Sequence, residues 1–124
     1  LGGIVKAQDK EALCTWLKTL DDYPNDGVRR EIASLGEIVV SIPEGATGTL
    51  DIYQDGGIPI GRDYCLDLGT TTFSIGIYDV YLEWCPFRGP KMFLMQGRGT
   101  DLSGYEQWAR KHDVPIEYFV FQKS

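Results

Sequence analysis

The chain has very little of what metal and redox chemistry require. It contains one histidine, His112, and three cysteines, Cys14, Cys65 and Cys85. There is no CxxC or HxxxH pair, whereas zinc takes ligands drawn mainly from Cys and His at such spacings. An odd cysteine count without a framework spacing argues against a disulfide scaffold and for a reduced, cytoplasmic setting. No apolar run reaches the roughly twenty residues of a membrane-spanning helix, and no signal peptide is visible. The start at Leu1 leaves a removed leader open.

Basic residues are also scarce. Twelve Lys and Arg stand against 18 Asp and Glu, a net charge of −6. Four of these net charges fall in residues 1–62 and two in 63–124, so the acidity is spread and not held in a tail. Such a chain repels phosphate backbones, which disfavours nucleic acid and leaves a basic protein as the electrostatic match. GxGxxG, P-loop and calcium-loop spacings are missing, so no cofactor or metal is expected. Repeats, low-complexity tracts and linkers are missing too.

What remains is an ordinary globular composition, 43% hydrophobic over 124 residues. That is enough for a single domain, 1–124, with its own core. Leu13, Trp16, Leu17 and Leu20 recur at i, i+3, i+4 and i+7, which predicts a helix over 8–20 with Asp9 as N-cap. Val28, Ile32 and Leu35 predict a second helix ending at Gly36. From Glu37 the period changes to two. Strands are expected at 37–43, 47–57, 63–68, 72–85 and 91–97, then a helix at 101–113 and a strand at 114–123. Ser103 and Glu106 have the spacing of a capping box. The expected class is α+β: a mostly antiparallel sheet of five to six strands, two N-terminal helices and one C-terminal helix. Trp16, Trp84 and Trp108 each fall in an apolar pattern and are expected in the core.

"GRDYCLDLG" (61–69) gathers two carboxylates and a thiol on one strand face. Pairing it with the next strand across "GTTT" sets Leu68 opposite Phe73, Leu66 opposite Ile75 and Tyr64 opposite Ile77. Asp63, Cys65 and Asp67 then form the opposite face with Ser74, Gly76 and Tyr78. Further along, apolar residues change from odd positions (73, 75, 77) to even ones (80, 82, 84). Within one strand this requires a bulge or bend near Tyr78–Asp79.

Several groups could carry chemistry. Cys65 or Cys85 with His112, oriented by Asp67 or Asp113, would make a nucleophile system. Asp63, Asp67, Asp79 and Glu83 could supply paired carboxylates for a small hydrolase or transferase. The plain alternative for all of them is a solvated face or a packed histidine. Arg98 with Gly97 and Gly99 precedes a helix start, the layout of an anion site, although Asp101 stands where the anion would go. "CPFRGPKMF" (85–93) offers Phe87 and Arg88, both interface-type side chains, on a loop stiffened by Pro86 and Pro90.

Residues 58–69, "IPIGRDYCLDLG", resemble one strand of the SUKH proteins, many of which are toxin-neutralising immunity proteins. The resemblance is confined to these residues, and the other helices and strands do not line up with that family. It implies an immunity or inhibitor role. Acidity, size and the missing catalytic motifs agree with a small protein-binding module that uses Asp63, Asp67, Phe87 and Arg88.

Overall fold

A computed structural model describes residues 7–44, 49–53, 63–67, 72–86 and 88–122. The first helix, α1 (Ala7–Lys18), continues into a 3-10 turn over Thr19–Asp22. Its stripe of Leu13, Leu17 and Leu20 is buried. Tyr23 leaves the helix in extended conformation, as a residue before proline must. Asn25 then caps α2 (Asp26–Ser41), its side-chain oxygen accepting from Val28 N–H at 3.0 Å. Asp9 lies inside the first turn of α1 and is not its cap.

Residues 37–43 are not a strand. Val28, Ile32, Leu35, Val39 and Ile42 keep a four–three spacing straight through Gly36, and all are buried. The apolar stripe therefore continues, and α2 runs on until Pro43 stops it. Gly36 is a mid-helix residue and terminates nothing. Lys10 closes the end of α2 by donating to the carbonyls of Val40 (3.2 Å) and Ile42. Cations favour this end of a helix.

The sheet contains β1 (Thr49–Tyr53), β2 (Asp63–Asp67), β3 (Thr72–Ile77), β4 (Val80–Cys85), β5 (Gly89–Gln96) and β6 (Ile116–Val120), ordered as in sequence. Four antiparallel pairs are followed by a parallel one, β5 with β6, bridged by α3 (Ser103–Lys111). The class is α+β as expected, with a mixed sheet. Phe73, Ile75, Val80, Leu82, Trp84, Met92 and Leu94 form its buried face and meet all three helices in one core. Trp84 and Trp108 are buried there, and Trp16 stacks on Trp84 at 5.6 Å.

Two strand expectations are corrected. The β2–β3 pairing is two residues off the expected register: Leu66 faces Phe73 and Tyr64 faces Ile75. Because the shift is even, every residue keeps its face. Residues 72–85 are not one bulged strand but two, joined by a tight turn at Tyr78–Asp79 that pairs Ile77 with Val80. A two-residue turn sets odd positions opposite even ones, so the change of parity is the mark of the hairpin itself. Tyr78 takes positive φ, 52°, as the first central residue of primed hairpin turns does.

At the C-terminus of α3, Asp113 adopts φ 55° while its N–H and that of Val114 reach back to Arg110 and Ala109. This is the Schellman arrangement that satisfies the last carbonyls. At the other end the expected capping box is not formed: Asp101 accepts from Ser103 N–H at 3.0 Å, and Glu106 accepts instead from the Tyr118 hydroxyl.

Candidate functional site

With the helices on one face of the sheet, the other face is lined by the alternate strand residues. The register runs Tyr53, Asp63, Gly76, Tyr81, Phe93 and Glu117 across all six strands. A neighbouring row runs Asp51, Cys65, Ser74, Glu83 and Lys91. On the β4–β6 side this face carries linked aromatic rings. Tyr81 and Phe93 lie 5.8 Å apart, and Phe93 stacks on Phe119 at 5.9 Å. Tyr81 and Phe119 remain exposed. Lys91 lies 5.1 Å over the Phe93 ring and pairs with Glu117 at 2.8 Å. Glu83 accepts from Arg88 at 3.0 Å. A Cβ placed on Gly76 would come within 3.3 Å of the Tyr81 ring, so glycine there leaves room for the ring to lie across β3.

Tyr81, Phe93 and Phe119 were not among the sequence candidates. The available signal was apolar character at both parities in "VYLEW", "KMFLM" and "IEYFV". A strand apolar on both faces needs cover on both, and the described helices supply it on one.

Asp63, Cys65 and Asp67 occupy β2 at register positions opposite Gly76, Ser74 and Thr72. Phe87 lies outside the described residues. Arg88 sits at the β4–β5 turn, its N–H on the carbonyl of Cys85 and its guanidinium on Glu83.

His112 is joined to Asp22, 3.0 Å from each carboxylate oxygen, and lies 4.8 Å from the Trp108 ring. A carboxylate only accepts, so Nε2 carries the proton. Asp22 also accepts from Trp108 Nε1 at 3.0 Å and Lys111 Nζ at 2.7 Å. The Lys111 ammonium, followed by His112 and Trp108, holds the Asp22 carboxyl far below its ordinary range against the opposing effect of burial. This cluster ties the turn after α1 to α3. Asp113 forms the helix-end turn described above. Cys14 lies in a groove of about 480 Å³ between α1 and α2, lined also by Leu17, Ile32, Gly36 and Val40, and Cys85 is buried. Neither is hydrogen bonded to His112 among the described residues.

Arg98 is engaged within the chain. Its Nε lies 3.2 Å from Asp79, and its guanidinium stacks over Phe121 at 5.0 Å. Asp79 is buried and also accepts from the Thr100 hydroxyl. Gly97 and Gly99 take the positive φ values of this loop, 96° and 83°. The anionic group at the α3 start is the chain's own Asp101. Among the described residues no cluster of three or more His, Cys, Asp or Glu is arranged for a metal, and no helix is long and apolar enough to cross a membrane. Compared with known protein families, curated proteins and solved structures, the chain matches none, and the SUKH resemblance of residues 58–69 is carried no further.

Proposed function

We propose that this protein is a small acidic protein-binding module that receives a basic partner protein on the face of the sheet opposite the helices. Neutralisation of that partner, as by an immunity or inhibitor protein, is the concrete form of the role. The observation that carries the reading is the set of linked rings Tyr81, Phe93 and Phe119, the outer two exposed and Phe93 half-buried between them, beside ion-paired side chains. Interfaces of this kind combine aromatic anchors with a charged rim. The register positions of Asp51 and Asp63 extend the same rows in acidic residues, and Asp67 takes the next row, between Thr49 and Thr72, which suits a partner of opposite charge.

The test is affinity capture from the native host with the wild-type chain, followed by calorimetry on the purified partner. Tyr81→Ala and Phe93→Thr, checked for an unchanged circular dichroism spectrum, should each weaken binding about thirtyfold, the size of an aromatic hot spot. A partner without excess positive charge, or unchanged affinity in both variants, refutes the reading.

A further inference from the structure

Strand β6 ends the described sheet and lacks the devices that keep edge strands from pairing. Ile116–Val120 contains no proline and no lysine, and its register with β5 runs without a bulge. Its one charge, Glu117, is held by Lys91 at 2.8 Å. Of the seven large hydrophobic side chains exposed among the described residues, four are consecutive: Tyr118 (42%), Phe119 (44%), Val120 (65%) and Phe121 (41%).

Among the described residues the backbone is equally available. Met92 N–H donates to Pro115 O at 2.9 Å, and Phe121 N–H donates to Gln96 O at 2.7 Å. Residues in a ladder alternate in the direction their peptide groups point. Glu117 and Phe119 therefore turn theirs toward β5, and Ile116, Tyr118 and Val120 turn theirs outward.

We propose that β6 pairs antiparallel with β6 of a second copy of this chain, about a two-fold axis at Tyr118. Tyr118 then lies opposite its own symmetry mate, and Ile116 of each copy lies opposite Val120 of the other. All three outward residues meet outward residues, giving about six backbone hydrogen bonds. Side chains match on both faces, Ile116 with Val120 on one and Glu117 beside Phe119 on the other. A basic partner gains little here, because charge at the strand is balanced: Glu117 pairs with Lys91, and Arg110 lies near Tyr118 together with Glu106, which accepts from the Tyr118 hydroxyl. The same neutrality keeps two chains of charge −6 from concentrating their repulsion at the seam. An isologous pair also closes, whereas head-to-tail pairing would extend into a fibre. The inference goes beyond the partner-binding reading and does not depend on it.

Sedimentation equilibrium of the full chain, from micromolar to hundreds of micromolar, tests it. Wild type should move from 13.9 kDa toward twice that mass as concentration rises. Val120→Lys places an edge lysine at an exposed position and should weaken dimerisation at least about tenfold with an unchanged melting temperature. Tyr118→Pro removes an outward N–H without touching a β5–β6 bond and should act likewise; should it unfold, Val120→Lys decides. Tyr81→Ala, aimed at the partner-binding face, should dimerise as wild type does. A chain that stays monomeric throughout overturns the proposal. So does a folded Val120→Lys that dimerises as tightly as wild type, or wild type forming open aggregates in place of a closed pair.

Discussion

Asp22 shows how much one carboxylate can organise. Three side chains of the α3 region converge on it from positions 86 to 90 residues away in sequence. Among them, Trp108 is buried, so its indole N–H depends on this acceptor. Asp22→Ala should cost about 1–3 kcal/mol in chemical denaturation, the penalty for stranding such a donor. The linkage has a definite sign. The folded-state carboxyl is depressed below its ordinary value of 3.8, so its contribution is complete above that pH and is lost as pH falls below it. Wild type should therefore lose more stability than Asp22→Ala between pH 5 and pH 3, about the ordinary carboxylate range, in parallel thermal melts. His112 is the C-cap of α3, and a packed histidine there was legible as the plain alternative to a catalytic one. Its acceptor was not, because no local pattern links a helix end to a turn at the other end of the chain.

At the scale of elements, the errors and successes of periodicity have the same cause. A stripe is a local property, and α1, α3 and the faces of β2 and β3 were all readable from it. The misreading at 37–43 came from weighting the β-branched run Ile38–Val40 and the glycine at 36 over the four–three spacing that passes through both. Packing of that stripe onto α1 and the sheet outweighs the propensity of single residues. Gly36 is then a weak point in a helix: a Cβ there would meet nothing within 4 Å. Gly36→Ala should stabilise the protein by about 0.5–1 kcal/mol through lower backbone entropy of the unfolded chain, seen as a higher denaturation midpoint at unchanged slope. The β2–β3 register slipped by two because alternation specifies a face and not a partner, and any even shift satisfies it.

For the whole molecule, the net charge of −6 sets how partners approach. Association with a basic partner should slow as salt rises, and Asp63→Lys with Asp67→Lys should slow it at low salt, measured by stopped-flow mixing. An association rate indifferent to both would remove the acidic rows from the encounter. The sequence alone determined the α+β class, the alternation of faces along the strands and the acidity of the chain, because each depends on composition or on residues a few positions apart. Only the tertiary structure decided which face of the sheet the helices cover, where β6 joins and what holds His112. Those outcomes depend on how elements far apart in the chain share one core, and the covering of one sheet face is what leaves Tyr81, Phe93 and Phe119 on the other.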